Sequence, residues 1–216
     1  AITPSEPDWH RRAVGGRWDE IGRLQLDFMI SQGLQPHHYL LDVGCGCLRG
    51  GVHFVRYLES GHYFGIDISQ QLLDAGRLEL AAAGLSDRAV TLQQTDRFDF
   101  QAFGRQFDFA LAQSLFTHLP LNSILHCLMN IEAVLVPGGK FFATFFENPQ
   151  GKFYRSPIVQ AVVDDWDGLT YFDRDPYHYD FATFEWMCTG TRLAVQYLGD
   201  WGHPRNQKML CFIRGC

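Results

Sequence analysis

The stretch that decides the fold is Leu40-Leu41-Asp42-Val43-Gly44-Cys45-Gly46-Cys47-Leu48-Arg49-Gly50-Gly51. Its apolar start predicts a buried strand over residues 39–43, and its glycines predict a sharp turn into a helix. In a parallel sheet, ligands bind at such turns, outside the carboxyl ends of the strands. Glycine lets the backbone approach a ligand closely, and a helix start favours an anionic group. We therefore expect a ligand site at this turn.

Apolar strands and helices alternate on either side of the turn. Strands are predicted over residues 39–43, 63–67, 90–94, 107–113 and 140–146, and helical patterns lie between them. This alternation favours a parallel sheet with helices on both faces. Another helix is predicted over 18–32. Residues 147–180 show weak periodicity. A short helix over 181–188 then precedes strands at 194–198 and 209–213, whose connection is too short for a helical crossover, so we expect them to be antiparallel.

The composition excludes several classes of protein. The 216 residues are 46% hydrophobic and 19% charged, which is typical of one folded domain and not of a disordered chain. The apolar runs are far shorter than the roughly 20 residues that span a membrane. The net charge is −6, and the basic residues are scattered. A nucleic-acid binder needs a basic stripe, so we expect neither a nucleic-acid nor a membrane partner.

The six cysteines give no metal or disulfide framework. Cys45 and Cys47 are the one close pair, and no second pair lies at a matching distance. We therefore expect no metal and reduced thiols in a cytoplasmic protein. No cationic start followed by an apolar stretch follows Ala1, so we expect no signal peptide.

An acid at the end of the second strand makes the ligand prediction more specific. Asp67 lies 23 residues beyond Gly44, where a carboxylate can accept hydrogen bonds from two ribose hydroxyls. The pair indicates a cofactor that contains a nucleoside. A dinucleotide site would require a small residue where Arg49 stands, so an NAD-dependent oxidoreductase is a disfavoured alternative.

Five stretches in this order resemble the motifs of class I S-adenosylmethionine-dependent methyltransferases of the small-molecule type. They are residues 40–46, 65–69, 95–96, 107–114 and 135–140, within about residues 38–147. The resemblance implies an α/β fold. More specifically, it implies a Rossmann-like three-layer sandwich with a seven-stranded, mostly parallel sheet and an antiparallel last strand.

The resemblance also implies a cofactor, S-adenosyl-L-methionine, and the residues that bind it. Gly44 and Gly46 would let the chain pass the amino-acid part, and Asp67 would hold the ribose hydroxyls. Ile68 would cover the adenine, Asp96 would accept from its amino group, and the Gln113 backbone would meet the methionine ammonium. The full predicted set is Asp42, Gly44, Cys45, Gly46, Asp67, Ile68, Thr95, Asp96, Arg97 and Gln113. Arg49 departs from the usual pattern. We expect it either to pair with an acid or the cofactor carboxylate, or to be exposed at the helix start.

The residues after the fourth strand narrow the acceptor. Residues 113–116 are Gln-Ser-Leu-Phe, which lack the prolines of enzymes that methylate amino groups of bases or glutamine. Residues 113–123 also lack the paired glutamates of arginine methyltransferases and the acids of metal-dependent catechol enzymes. A small-molecule acceptor remains.

Two histidines are the predicted catalytic residues. His118 should lie at the mouth of the sheet, where a side chain with a pKa near 6.5 can take a proton from a hydroxyl. A turn-capping role is its alternative. His178 lies in the aromatic and acidic stretch 171–180, which covers the acceptor pocket in this fold. The other histidines, His203 among them, are expected to be structural or exposed.

We therefore predict one methyltransferase domain over residues 1–216. It comprises an N-terminal helical lid (1–34), a cofactor-binding core (35–147), and an acceptor-side segment with the C-terminal strands (148–216). The predicted activity is methyl transfer to a small molecule, with a hydroxyl oxygen as the first choice. The alternatives are transfer to nitrogen or carbon, and a non-catalytic module that binds S-adenosylmethionine or S-adenosylhomocysteine.

Overall fold

The computed structural model describes residue 6 and residues 8–150, 154–163 and 167–216. The chain divides into two compact units, residues 1–97 and 98–216, and each is described by itself. The predicted lid begins within residues 1–5 and 7, which lie outside the described residues. Among the helices of the described part, none is long and apolar enough to cross a bilayer.

The first unit is a parallel sheet with helices in its connections. Its elements are α1 (Trp9–Ala13), α2 (Trp18–Ser31), β1 (Leu40–Val43), α3 (Gly51–Tyr57), β2 (Tyr63–Asp67), α4 (Gln70–Ala82) and β3 (Thr91–Gln94). Strand β2 lies between β1 and β3 and is parallel to both. The predicted helices and strands of this unit are confirmed to within a few residues at each end.

Burial and capping explain the local structure of this unit. All four residues of β1 are buried, as expected for a strand with neighbours on both faces. The side chain of Ser69 accepts a hydrogen bond from the backbone N–H of Leu72 and so caps α4. The carboxyl ends of β1 and β2 thus lie side by side, since Val43 pairs with Ile66.

The second unit contains the remaining principal strands. Its elements are a 3₁₀ helix (Phe100–Phe103), β4 (Phe107–Ala112), α5 (Leu121–Val134), β5 (Leu135–Glu147), β6 (Ile158–Val159), β7 (Leu169–Thr170), β8 (His178–Tyr179), α6 (Phe181–Cys188), β9 (Leu193–Asp200) and β10 (Lys208–Arg214). Strand β5 is parallel to β4, and β10 is antiparallel to both β5 and β9. The last strand in the sequence is therefore the antiparallel one, as predicted.

Aromatic packing fixes the core of the second unit. Phe116 follows β4 and stacks on Phe184 of α6. Phe145 of β5 meets the same Phe184 ring edge to face, and Phe141 stacks on Phe212 of β10. All five rings are fully buried. The segment after β4 is thereby attached to the sheet and to α6.

Two features of this unit differ from the prediction. We expected Pro137-Gly138-Gly139 to close a helix before a strand at Lys140, but β5 already begins at Leu135. Leu135 is fully buried and pairs with Phe107, and the Pro-Gly-Gly step is an irregularity inside the pairing with β4. Between residues 147 and 180, the described part of the chain also forms the two-residue strands β6, β7 and β8. Such short strands leave no periodic pattern in a sequence.

Candidate active site

The glycine turn after β1 has the backbone shape that only glycine adopts easily. Gly44 and Gly46 have φ angles of 74° and 55°, a region that side chains disfavour. The N–H groups of Gly44 and Cys45 both donate to the carbonyl of Ile66. The N–H of Gly46 donates to Oδ2 of Asp67 at 2.9 Å. The turn is therefore attached directly to the end of β2.

Asp67 occupies the centre of this arrangement. Its Oδ1 accepts from the N–H of Ser69 at 2.8 Å, while Oδ2 accepts from Gly46. Burial raises the pKa of Asp67, and the bonds from Ser69 and Gly46 oppose that shift. A carboxylate offers about four lone-pair sites, and these backbone groups do not use all of them. Asp67 can therefore accept from a ribose hydroxyl as well.

The predicted adenine-side residues line a cavity next to Asp67. This cavity has a volume of about 270 Å³ and is lined by Ile68, Gln94, Thr95 and Asp96. Ile68 is 70% exposed, an unusual position for an apolar side chain. The carboxylate of Asp96 lies 3.7 Å from Nε of Arg97, and both side chains are largely exposed. An apolar face beside an accessible carboxylate fits an adenine ring and its amino group.

Asp42 and Cys45 lie beneath the turn rather than in the cavity. Asp42 is 4% exposed, and its Oδ2 accepts from the Tyr63 hydroxyl at 2.7 Å. Burial, only partly opposed by that hydrogen bond, raises the pKa of Asp42 to about 7. Cys45 is buried too, and burial raises the pKa of its thiol well above the ordinary value. Both residues support the turn from below.

The segment that follows α1 crosses the glycine turn. The guanidinium of Arg49 donates from Nη1 to the carbonyls of Val14 and Gly16, at 2.7 and 3.0 Å. A Cβ on Gly46 would lie 2.8 Å from Cγ1 of Val14, so a larger residue there would require Val14 to move. The thiol of Cys47 donates to the carbonyl of His10.

One of the two predictions made for Arg49 is wrong. The residue is only 6% exposed, so it is not an exposed residue at the helix start, whereas its pairing with an acid or the cofactor carboxylate stays a prediction. Arg49 is buried because the carbonyls of Val14 and Gly16 bind its guanidinium. This long-range contact has no signal in the local sequence pattern.

A buried carboxylate holds α1 in place. Glu79 of α4 accepts from Nε and Nη2 of Arg11 at 2.6 and 2.7 Å, and it lies 2.6 Å from Nε2 of His10. Burial would raise the pKa of Glu79, but the bonds from Arg11 and His10 outweigh it and lower the pKa. The guanidinium of Arg11 also lies 4.7 Å from the centre of the Trp18 ring. Residues 10–16 are thus fixed at both ends.

In the second unit, Gln113 belongs to a polar network at the end of β4. Its side-chain amide lies 2.6 Å from Oγ of Ser114 and 3.1 Å from Nε2 of His203. Gln207 bonds both Ser114 and Thr144. His203 and Gln207 come from the connection between β9 and β10 and are 5% and 3% exposed. The prediction that His203 is merely structural or exposed missed this partnership with Gln113, which lies 90 positions away.

His118 follows β4 and has one charged partner. Its Nδ1 lies 2.5 Å from Oδ1 of Asp175, and both side chains are about half exposed. The N–H of Tyr177 donates to the carbonyl of Thr117, and the Tyr179 hydroxyl donates to that of Leu119. The stretch 171–179 is thereby attached to the segment that carries His118. Within the described residues, no other hydrogen bond reaches the His118 ring, so Nε2 is accessible.

His178 has the opposite environment. Its ring is 4% exposed, and Nδ1 lies 3.1 Å from Oγ1 of Thr170. Burial lowers the pKa of His178, which favours the neutral ring. Its catalytic role, like that of His118, stays a prediction.

Comparison with known proteins agrees with this picture. Residues 41–141 match the family model described as methyltransferase domain. The chain is 29% identical over 143 residues to demethylmenaquinone methyltransferase of Symbiobacterium thermophilum. This alignment covers 65% of this chain and 54% of that protein. It is 31% identical over 150 residues to ubiquinone biosynthesis O-methyltransferase of Hahella chejuensis, with coverages of 67% and 58%. The chain thus spans little more than half the length of these relatives.

A solved structure shares the whole fold. The crystal structure of an S-adenosylmethionine-dependent methyltransferase from Clostridium acetobutylicum matches 97% of this chain and 96% of its own, with a TM-score of 0.67 and 13% identity. The fold is therefore that of the class I S-adenosylmethionine-dependent methyltransferases, and the predicted Rossmann-like class is confirmed. The methyltransferase-domain model covers residues 41–141 of this fold. The predicted cofactor, S-adenosyl-L-methionine, agrees with these matches.

Proposed function

We propose that the protein transfers a methyl group from S-adenosyl-L-methionine to a hydroxyl oxygen of a small molecule, with His118 as the general base. The observation that carries the proposal is the contact of 2.5 Å between His118 Nδ1 and Asp175, with Nε2 left accessible. A carboxylate on one ring nitrogen fixes the tautomer, so that the other nitrogen can accept a proton.

The chemistry of the acceptor explains why a base is needed. S-adenosylmethionine, when bound, supplies a methyl group that is already activated on a sulfonium. A hydroxyl is a weak nucleophile until its proton is removed. Nε2 of His118 would take that proton, and Asp175 would stabilise the imidazolium that results. The relative from Hahella chejuensis is named as an O-methyltransferase, which supports the same choice of atom.

We propose the cofactor role for the first unit on the fit described above. Asp67 would accept from the ribose hydroxyls, Ile68 and Asp96 would contact the adenine, and Gly44 and Gly46 would let the chain pass the amino-acid part. We propose that Asp42 and Cys45 act indirectly, because both are buried beneath the turn. Three predicted cofactor-binding residues remain: Thr95, Arg97 and Gln113. The hydroxyl of Thr95 accepts a hydrogen bond from the N–H of Arg97.

Of the two predicted catalytic histidines, we assign the base to His118. A general base has to reach the acceptor, and half of the His118 side chain is exposed whereas His178 is 4% exposed. We propose that His178 supports the fold of the 170–179 segment through Thr170.

The test is a screen of phenols, alcohols, amines and activated carbon acids with methyl-labelled S-adenosylmethionine. S-adenosylhomocysteine release and the mass and fragmentation of each product are measured. An O-methylated product that His118→Ala no longer forms supports the proposal. A product methylated on nitrogen or carbon overturns the choice of oxygen. Tight binding of S-adenosylhomocysteine without turnover of any acceptor indicates a non-catalytic binding module.

A further inference from the structure

A hydrogen bond from the Arg205 backbone orients the polar network at the end of β4. The backbone N–H of Arg205 donates to Nδ1 of His203, so Nδ1 carries no hydrogen and the ring hydrogen lies on Nε2. Nε2 must then donate to the side chain of Gln113. The two ends of an amide are assigned from their hydrogen-bond partners, and this partner requires the amide oxygen.

The rest of the network follows from that assignment. The oxygen of Gln113 also accepts from the Ser114 hydroxyl, and Ser114 Oγ accepts from Nε2 of Gln207 at 2.8 Å. Oε1 of Gln207 accepts from the Thr144 hydroxyl at 2.7 Å. Oγ1 of Thr144 in turn accepts from the backbone N–H of Ser114 at 2.7 Å. This chain of hydrogen bonds links Gln113, Ser114, Thr144 and Gln207, and such buried networks make a site rigid.

The backbone at this point needs such support. Ser114 has a φ angle of 57°, a left-handed conformation that costs free energy in a residue with a side chain. His203 is held from its other side by the ring of Trp201, which stacks on it at 5.5 Å. The connection between β9 and β10 therefore contacts the Gln113–Ser114 turn through a buried, oriented imidazole.

We propose that His203 is a positioning residue: through Nε2 it holds Gln113 and so fixes the turn that meets the methionine part of the cofactor. This rests on the proposed function and on the contact that the family resemblance implies between the main chain of Gln113 and the methionine ammonium. His203 touches neither cofactor nor acceptor in this account. Its effect is confined to the amino-acid end of the cofactor, and the adenosine end depends on Asp67 instead.

Two substitutions distinguish the roles of the two ring nitrogens of His203. Glutamine places its terminal amide near the position of Nε2, so His203→Gln keeps a donor for Gln113. Asparagine places its amide near Nδ1, so His203→Asn keeps an acceptor for the Arg205 N–H and loses the contact with Gln113. Calorimetry of the full chain measures binding of S-adenosylhomocysteine and of 5′-methylthioadenosine, which lacks the amino-acid part. Thermal unfolding of each variant is measured alongside.

We expect His203→Asn to weaken S-adenosylhomocysteine binding about fivefold to tenfold, the effect of one hydrogen bond, and to leave 5′-methylthioadenosine binding unchanged. His203→Gln should retain most of the wild-type affinity for both, and Asp67→Ala should weaken both ligands. Any result in which His203→Gln binds S-adenosylhomocysteine no better than His203→Asn overturns the proposal, as does a loss shared equally by both ligands. If the wild-type chain binds neither ligand, the proposed function itself falls.

Discussion

The glycine turn of the first unit and the His118 region of the second unit are built in different ways. At the turn, backbone groups make the contacts: the N–H groups of Gly46 and Ser69 donate hydrogen bonds to the carboxylate of Asp67. Around His118, side chains meet side chains across long stretches of sequence, and the partner Asp175 is 57 positions away. In the proposed function, the first region binds a cofactor that a whole superfamily shares, and the second region binds one particular acceptor.

This difference teaches where changes in sequence should alter function. A site made of backbone groups tolerates few substitutions, because other residues do not easily adopt the φ angles of Gly44 and Gly46. A site made of side chains on irregular segments is free to vary while the fold persists. We therefore expect mutations at Asp67 to affect cofactor binding and mutations at His118 to affect turnover, and the following predictions test that separation.

The largest effect is expected at His118. Removal of a general base lowers rates by about 10²–10⁴-fold, so His118→Ala should lower kcat by that factor for a hydroxyl acceptor found in the screen. The affinity for S-adenosylmethionine, measured by calorimetry, should not change. His126→Ala is the matched control, because His126 is also exposed. Full turnover in His118→Ala would leave His118 with a structural role at its turn.

The second largest effect is expected on cofactor affinity, when Asp67 is replaced. Asp67→Ala leaves the N–H groups of Gly46 and Ser69 without their acceptor and removes the proposed ribose contact. We expect the Kd for S-adenosylmethionine to rise by the equivalent of about 1–3 kcal/mol, measured by calorimetry. Asp74→Ala is the control, since Asp74 is an exposed acid on α4 that pairs with Arg77. Equal affinities for Asp67→Ala and the control would contradict the ribose assignment.

The two regions also differ in how far their structure could be predicted from the sequence. The strands around the turn and the roles suggested for Gly44, Gly46 and Asp67 came from residues close together in the chain, whose type reports their backbone conformation. The contacts of Arg49, His118 and His203 could not be predicted in this way, because their partners are brought close only by tertiary packing. The sequence around 171–180 suggested chemistry from its aromatic and acidic residues, but nothing in it specified that Asp175 would meet His118.

The third effect is a pH dependence of stability at Asp42. The folded protein keeps the Asp42 proton up to about pH 7, whereas the unfolded chain releases it near pH 4. The folded state binds more protons in this window, so stability falls as the pH rises from 4 to 7. Asp42→Asn, which still accepts from Tyr63, should lack this decline. Urea unfolding at pH 5 and pH 7 should show the gap between variant and wild type shift by about 1–2 kcal/mol in favour of the variant.

If the difference in unfolding free energy between variant and wild type is the same at pH 5 and pH 7, Asp42 is ionised throughout this range. Neighbouring groups that do not interact with Asp42 titrate in both proteins and cancel in the difference. Asp67 does interact with Asp42, so the difference reports Asp42 together with that interaction.

The smallest effect is expected at the segment that crosses the glycine turn, the proposed lid. Arg11→Ala removes two hydrogen bonds from the buried Glu79 and leaves it with His10 alone. Because the Arg11 side chain is 37% exposed, solvent screens part of the interaction, and we expect a loss of about 1 kcal/mol in unfolding free energy. If residues 10–16 act as a lid over the turn, S-adenosylmethionine should also dissociate a few-fold faster, as measured by stopped-flow fluorescence of the nearby tryptophans. Arg12→Ala is the matched control, since Arg12 pairs with Glu6 at the surface. A loss of stability in Arg11→Ala with an unchanged dissociation rate would show that the segment stabilises the unit without closing the site.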